Sequence, residues 1–162
     1  MSDTGIWVLD TGGRAGSDID HDTVRGLIRD LVGMTRDRGV GRSWAVLAEL
    51  DAPELTDEND RALAHDRVGR LAVRLAVDTV ISVGESRSVR ALHQGAVMEG
   101  SWGEEALLVA DAAEALEILD AQIGDGDVVL IAGGRAGDLS AVTNALLDND
   151  RWTATLTAAP ER

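Results

Sequence analysis

The sequence predicts an α/β protein whose doubly wound, mostly parallel, Rossmann-like sheet has about six strands, with helices on both faces. Two observations lead to this fold class. Short apolar runs alternate with amphipathic stretches of helical periodicity along the whole chain, which is the pattern of βαβ units. No linker, low-complexity tract or internal repeat interrupts the series, and 162 residues fit one domain with a sizeable core. We therefore expect residues 1–162 to form a single domain.

The first strand and helix are predicted close to the N-terminus. Residues 5–10 (GIWVLD) form an apolar run, and residues 20–38 have the periodicity of an amphipathic helix. Its apolar face comprises Val24, Leu27, Ile28 and Leu31. Asp18 or Asp20 can cap the start of this helix, and Gly39 can end it.

The rest of the chain continues the alternation. Further buried strands are predicted at residues 43–50, 78–83, 106–110 and 127–132. Helices are predicted from residue 56 or 57 to 75, after Gly84, and at residues 112–122 and 139–147. Residues 151–158 alternate Trp, Ala and Leu with threonines, which suits a half-exposed strand, so the last strand is expected at an edge of the sheet.

Composition excludes several classes of protein. No apolar run approaches the roughly 20 residues that span a bilayer, and the N-terminus lacks the pattern of a secretory signal. The chain has no cysteine, so we expect a reducing, cytoplasmic location. A formal charge of −14 repels phosphate backbones and anionic lipid, so neither nucleic acid nor membrane is an expected partner.

The chain is free of lysine, and Phe, Tyr and Cys are absent as well. A GC-rich genome explains much of this pattern, because it favours Ala, Arg, Gly, Val and Asp. The alternative is selection against nucleophilic side chains in a protein that handles an electrophile. The absence of Phe, which has no such reactivity, favours codon bias.

Ligands of doubly wound proteins bind beyond the carboxyl ends of the strands, where the strand order reverses. The segments that follow predicted strands are residues 10–17, 49–53, 84–88 and 133–138, together with Asp111. These segments form the predicted binding surface.

Three stretches, at residues 44–50, 64–85 and 127–146, follow one another in an order that resembles the C-terminal domain of the Mur ligases, most closely that of the D-alanyl-D-alanine-adding branch, MurF. AHDRVGRLAVRLAVDTVISVGE (residues 64–85) is similar to that family's helix beginning with His and its following strand ending in Val-Gly. WAVLAEL (44–50) resembles its strand ending in an acidic element, with Glu49 at the acidic position and Ala48 in place of a glycine. DVVLIAGGRAGDLSAVTNAL (127–146) resembles its last strand and Lys-Gly-Ser-Arg turn.

Departures from the family pattern determine the functional hypothesis. The family's Asp-x-Tyr-Asn-Ala-Asn-Pro loop, which helps to place the nucleotide, is replaced after Asp10 by a Gly-rich sequence. At the last turn Ala132 stands for the family Lys and Gly134 for its Ser, while Gly133 and Arg135 match. The chain also lacks a Gly-Lys-Ser/Thr phosphate loop, so we expect a stand-alone, degenerate copy that does not ligate by itself.

Two Gly-rich turns are candidate ligand-binding segments. Gly133, Gly134 and Arg135 follow a strand and precede a helix, where backbone N–H groups can receive an anion, and Arg135 offers a planar charged fork. The alternative is a purely structural tight turn. Asp10, Gly12, Gly13 and Arg14 follow the first strand and either wrap a small molecule or form a mobile loop with a lost function.

The remaining candidates are single side chains. His65, Asp66 and Glu49 are the candidate acid/base residues, although in the family the equivalent His fixes a preceding loop, so a structural role for His65 is the alternative. Gly84 ends the third strand, and Trp102 lies among Gly and Ser as a candidate binding aromatic. No paired His spacing predicts a metal, and no cofactor is expected.

Three functions follow from these observations. The first is an accessory module that binds a small-molecule or peptide-like ligand, with specialised metabolism as one setting. The second is a small enzyme of natural-product biosynthesis that works without ATP through His65, Asp66, Glu49 or Arg135. The third is the C-terminal half of a split amide ligase that acts with an ATP-binding partner chain. A homodimer is a further expectation, because a domain that ordinarily packs against a neighbour can bury the same patch in a twofold contact.

Overall fold

The computed structural model describes residues 5–10, 19–100 and 105–157. Six strands and five helices alternate along this part of the chain. The strands are β1 (Ile6–Asp10), β2 (Ser43–Ala48), β3 (Thr79–Val83), β4 (Ala106–Val109), β5 (Val128–Ala132) and β6 (Ala154–Thr157). The helices are α1 (His21–Arg38), α2 (Glu58–Arg74), α3 (Arg87–Glu99), α4 (Ala112–Gln122) and α5 (Ser140–Leu147). None of these helices has the length and apolar character needed to cross a bilayer.

All strands belong to one parallel sheet in the order β4-β3-β2-β5-β1-β6. The predicted fold class is confirmed, and the last strand lies at an edge, as expected. Every residue of β2, β3 and β5 is buried, whereas the edge strands β4 and β6 each expose a leucine, Leu108 and Leu156. A sheet that is covered on both faces requires such continuous apolar strands in its centre.

Two apolar cores lie on opposite faces of the sheet. One joins α1 and α2, together with Leu92 of α3, to alternate residues of the strands, and the other joins α4 and α5 to the remaining residues. Helices therefore cover both faces. Trp44 is fully buried in the second core.

Local chemistry sets the ends of the elements. Asp20 caps α1 by accepting a hydrogen bond from the Thr23 N–H, and Gly39 ends that helix in the left-handed conformation at φ 71°. Asp57 caps α2. The strand predicted at residues 151–158 is shorter in the structure, because Asn149 Oδ1 accepts hydrogen bonds from the N–H groups of Arg151 and Trp152 and so holds them in a turn.

The end of the sheet at which the strands begin is held together by a buried carboxylate. Asp127 is 2% exposed and accepts hydrogen bonds from the Arg42 N–H, the Trp44 indole N–H and the Gly124 N–H. Three donors compensate the cost of burying this charge. Asp127 therefore joins the segments that lead into β2 and β5.

Helices α2 and α3 pack with their backbones in direct contact. A Cβ atom at Gly69 would overlap the Leu92 carbonyl oxygen and lie 2.9 Å from the Ala96 nitrogen, and one at Gly95 would overlap the Asp66 carbonyl oxygen. Because these obstacles are backbone atoms, no side-chain rotation relieves them. The two helices therefore form one rigid pair.

This packing predicts opposite effects of the same substitution at two helical glycines. We expect Gly69→Ala to lower the free energy of unfolding by about 1–3 kcal/mol, since the helices must separate to admit the methyl group. Gly33→Ala in α1 has nothing within 4 Å of the new Cβ and should raise it by about 0.5–1 kcal/mol through helix propensity. Urea denaturation followed by tryptophan fluorescence measures both. Equal effects of the two substitutions would contradict the packing described.

Candidate functional site

The strand order reverses between β2 and β5. These two strands are neighbours, but the helices that follow them, α2 and α5, lie on opposite faces of the sheet. A crevice opens beyond the carboxyl ends of strands at such a point. A cleft of about 230 Å³ lies there, which we call the inner cleft. Its lining consists of Glu49, Leu50, Asp51, Ala52, Pro53, Arg61, His65, Ser88, Arg135 and Ala136.

The carboxylate of Asp51 connects three segments at this edge. Its Oδ2 accepts a hydrogen bond from the Ile19 N–H at 2.8 Å, and its Oδ1 accepts one from the Arg135 N–H at 2.9 Å. The Asp51 N–H in turn donates to the Ile19 carbonyl oxygen at 2.8 Å. Asp51 thus ties the segment before α1 and the turn after β5 to the loop after β2.

The turn after β5 lies directly against that loop. A Cβ at Gly134 would lie 2.6 Å from both the Asp51 nitrogen and Oδ1, and one at Gly137 would lie 2.5 Å from the Ala48 Cβ. A Cβ at Gly133 would overlap the Gly137 carbonyl oxygen. The glycines of this turn are therefore needed for close packing, whether or not a ligand binds there.

The backbone N–H groups of the same turn are largely engaged within the protein. Gly134 donates to the Glu49 carbonyl oxygen, Arg135 to Asp51 and Gly137 to the Gly134 carbonyl oxygen. At the start of α5, the Ser140 N–H donates to Asp138, and this hydrogen bond holds the pKa of the Asp138 carboxyl below its usual value. These bonds favour the structural interpretation of the turn. The Arg135 side chain is exposed and lines the inner cleft, so it stays the predicted ligand-binding group of this turn.

His65 is buried in the wall of the inner cleft and both its ring nitrogens are engaged. Nε2 accepts a hydrogen bond from the Leu50 N–H at 3.0 Å, and Nδ1 lies 2.7 Å from the Arg61 carbonyl oxygen. This pattern requires a neutral ring with its proton on Nδ1. Burial lowers the pKa of His65 below its ordinary value and so supports the neutral form. His65 fixes the point at which the chain leaves β2, and general-base action would require one of these bonds to break.

Opposite charges meet in the inner cleft. Glu49, Arg61 and Arg135 all line it, and the Nε of Arg61 donates to the Leu55 carbonyl oxygen. Carboxylate and guanidinium groups in one small cleft can hold a ligand that carries both an ammonium and a carboxylate. Among the described residues, no group of three or more His, Asp or Glu side chains converges as a metal site.

Asp66 lies apart from the other two acid/base candidates. It follows His65 on α2 but points towards α3, and its Oδ2 accepts a hydrogen bond from Arg70 Nε at 2.8 Å. The structure therefore brings His65, Glu49 and Arg135 together at the inner cleft and places Asp66 on the other side of α2. Adjacent residues of a helix point about 100° apart, so sequence proximity did not imply a shared site.

The remaining predicted site residues occupy other positions. Asp10 ends β1 beside Ile131 of β5, and Gly84 ends β3 with φ +132°, a conformation that favours glycine. Gly12, Gly13, Arg14 and Trp102 lie outside the described residues, so their roles stay predictions. Within the described ranges, the lining of the inner cleft includes neither Asp10 nor Gly84.

Three polar residues of the inner cleft were not singled out as site residues from the sequence. Asp51 and Ser88 fall within the predicted binding segments 49–53 and 84–88, whereas Arg61 lies outside all predicted segments. The ends of the preceding strands were the signal that placed Asp51 and Ser88 on the predicted binding surface, because ligands of such sheets bind beyond the carboxyl ends of the strands. No comparable signal marked Arg61, since it lies within the first turns of an ordinary amphipathic helix.

Comparison with known proteins shows which family shares this fold. No family model matches the chain. Over 148 residues it is 43% identical to the UDP-N-acetylmuramoyl-tripeptide–D-alanyl-D-alanine ligase of Mycobacterium leprae, which covers 88% of this chain. The chain is a MurF-like Mur ligase C-terminal domain. The ligase of the same name from Mycobacterium tuberculosis is 45% identical to this domain over 120 residues, covering 67% of it.

This MurF-like domain represents only part of its relatives. It spans 28% of the Mycobacterium leprae ligase and 23% of the Mycobacterium tuberculosis ligase. A crystal structure of MurF from Acinetobacter baumannii superposes on 82% of the chain with a TM-score of 0.62 and 20% identity, and 27% of that chain is covered. That similarity supports the fold of the MurF-like domain.

The Asp51 contacts predict a local effect of its removal. We expect Asp51→Ala to lower the free energy of unfolding by about 1–3 kcal/mol, because the N–H groups of Ile19 and Arg135 lose their acceptor. Native-state hydrogen exchange should show faster exchange of these two amides. The Trp44 indole N–H, which is bonded to Asp127, serves as the internal control. Unchanged exchange at Ile19 and Arg135 would refute the role assigned to Asp51.

The buried neutral His65 predicts a pH dependence of stability. Its pKa in the folded protein lies below the ordinary 6.5, so the unfolded chain binds the proton more readily. The contribution to stability is complete above pH 6.5 and is lost as the pH falls from there towards the folded pKa. His65→Gln keeps an acceptor for the Leu50 N–H but has no titrating ring, so it should flatten this dependence. Urea denaturation at a series of pH values between about 5 and 7 measures it.

His93→Gln is the matched control for this measurement. Burial also lowers the pKa of His93, but that side chain is less buried, so its replacement should flatten the profile less. If the profile of His65→Gln matched that of the unsubstituted protein, the assignment of a neutral ring with both nitrogens hydrogen-bonded would be wrong.

Proposed function

We propose that the domain binds a small zwitterionic, peptide-like ligand in the inner cleft and presents it to an ATP-binding part, which a further domain or a partner chain supplies. The observation that carries this proposal is the inner cleft itself, which lies where the strand order reverses and is lined by Glu49, Arg61 and Arg135. Residues 1–162 then act as one binding unit rather than as a complete ligase.

The size of the inner cleft supports a small ligand. Its 230 Å³ lies below the roughly 300–1,000 Å³ of sites for drug-sized molecules. Glu49 suits an ammonium group, and the fork of Arg135 suits a carboxylate. An amino acid or a dipeptide carries both groups in a compact volume.

The relatives indicate which ligand to test first. Their name describes the joining of a D-alanyl-D-alanine dipeptide to a UDP-N-acetylmuramoyl-tripeptide. A dipeptide of this kind has the charge pattern that the inner cleft favours. The 162 residues contain no Gly-Lys-Ser/Thr loop, so ligation needs phosphate-binding residues from elsewhere.

The geometry favours binding over independent catalysis. The enzyme alternative would use His65, Asp66, Glu49 or Arg135. Both nitrogens of His65 are bonded to backbone groups and Asp66 is paired with Arg70 outside the inner cleft, whereas Glu49 and Arg135 line the cleft, where we assign them to the charges of a bound ligand. If the ligand is a compound other than D-alanyl-D-alanine, we propose that the domain serves specialised metabolism. The proposed location is the cytoplasm, because the chain has no cysteine and so none of the disulfides that are typical of proteins in oxidising compartments.

Calorimetric titration tests the proposal. We expect D-alanyl-D-alanine to bind the purified protein more tightly than L-alanyl-L-alanine, and Arg135→Ala to weaken binding at least about tenfold, the equivalent of about 1.4 kcal/mol. Arg29→Ala, which removes an exposed guanidinium from α1, should leave the affinity unchanged. Equal affinities of the Arg135→Ala and Arg29→Ala variants would place the ligand elsewhere.

A second measurement separates a binder from an enzyme. A metabolite extract is analysed before and after incubation with the protein. One retained compound in an otherwise unchanged extract supports binding of a ligand other than D-alanyl-D-alanine. Conversion of any compound in the absence of ATP would replace the proposal with the enzyme alternative.

A further inference from the structure

A second depression lies on the other side of α2, which we call the outer groove. It occupies about 640 Å³ between the N-terminal halves of α2 and α3, and its lining consists of Asn59, Ala62, Leu63, Asp66, Arg70, Arg87, Arg90, Ala91 and Gln94. The inner cleft and the outer groove share no lining residue, because α2 separates them. The outer groove is therefore a distinct surface.

The floor of the outer groove is apolar. Ala62 and Ala91 are small, and Leu63 of α2 leaves 52% of its surface exposed. The crossing at Gly69 and Gly95 fixes the distance between these helices. The groove is thus preformed, and a side chain that covers Leu63 gains hydrophobic contact without rearrangement of the backbone.

Guanidinium groups surround this floor. Arg70 pairs with Asp66 at 2.8 Å and lies 3.9 Å from Glu99, so its charge is largely compensated. Arg87 lies 3.7 Å from Glu58 at an exposed position, where the pairing is weak. Arg90 is exposed, and among the residues that the structure describes its guanidinium group has no ion-pair or hydrogen-bond partner. The lining itself contains three arginines and one carboxylate, so it favours an anionic occupant.

The position of these arginines in the whole chain strengthens that preference. Residues 58–99 contain six arginines and six acidic residues, so the formal charge of −14 belongs to the rest of the chain. An acidic partner therefore meets less repulsion from residues 58–99, which are neutral as a whole, than from the chain on average. Within this neutral stretch, the arginines that line the outer groove are the groups that can pair with it.

We propose that the outer groove docks an acidic segment of a partner protein, which places an apolar side chain on Leu63 and carboxylates beside Arg87 and Arg90. A second copy of this chain is a poorer occupant, because two molecules that each carry −14 repel one another. This inference does not depend on the ligand proposed for the inner cleft. It identifies a surface through which the domain can be held next to another protein.

A pair of synthetic peptides tests the docking. Both have a central leucine, flanked by glutamates in one peptide and by lysines in the other, and binding is measured by fluorescence anisotropy at low ionic strength. We expect saturable binding of the glutamate peptide only, weakened by added salt. Failure of the glutamate peptide to bind, or equal binding of both peptides, would overturn the proposal.

Matched variants locate the binding surface. Arg90→Glu should weaken binding of the glutamate peptide at least about tenfold, whereas Arg29→Glu, the same charge change at an exposed position of α1, should weaken it less than about twofold. Leu63→Ser should weaken it without altering the charge. Equal weakening by Arg90→Glu and Arg29→Glu would mean that only net charge matters and would refute a site in the outer groove.

Arg135→Ala separates this proposal from the one for the inner cleft. The variant should bind the glutamate peptide as the unsubstituted protein does, even where it no longer binds a dipeptide. Loss of peptide binding in Arg135→Ala would place the peptide in the inner cleft and overturn the inference.

Discussion

The carboxylate of Asp51 determines the shape of the edge on which the proposed function depends. Its two oxygen atoms bind backbone N–H groups from segments that lie 32 and 84 residues away in sequence. The loop after β2 and the turn after β5 are also joined by the hydrogen bond from the Gly134 N–H to the Glu49 carbonyl oxygen and by the packing of glycines. His65 holds the same loop from the opposite side through the Leu50 N–H. Between them, these two side chains keep the inner cleft open in a defined geometry.

Both depressions of the protein depend on α2. Its inward face supplies Arg61 and His65 to the inner cleft, and its outward face supplies Leu63 and Asp66 to the outer groove. The close backbone contact with α3 fixes the position of this helix between the two depressions. A ligand and a protein partner can therefore occupy neighbouring sites without competing for the same side chains.

The sequence was sufficient to predict the fold, because its signals were local and agreed with one another. Apolar runs became the strands, and Asp20, Asp57 and Gly39 had the roles that their chemistry suggests. The site was less predictable, because it depends on distances between segments far apart in the chain. Glu49, His65 and Arg135 were candidates from the sequence, and the family resemblance already offered a structural role for His65 as the alternative. The structure shows which backbone groups its two ring nitrogens contact. Asp66 was associated with His65 through adjacency alone, and the direction of its side chain could be known only from the packing of α2 on α3.

The buried Asp127 lies at the opposite end of the sheet from both proposed sites. Its three hydrogen bonds join the segments where β2 and β5 begin, and none of them involves a residue of the inner cleft or the outer groove. The residues that join the strands at this end of the sheet are therefore different from those that line the two proposed sites. Mutations that alter the loops beyond the strands leave this anchor untouched, so the scaffold tolerates diversification of specificity over evolutionary time.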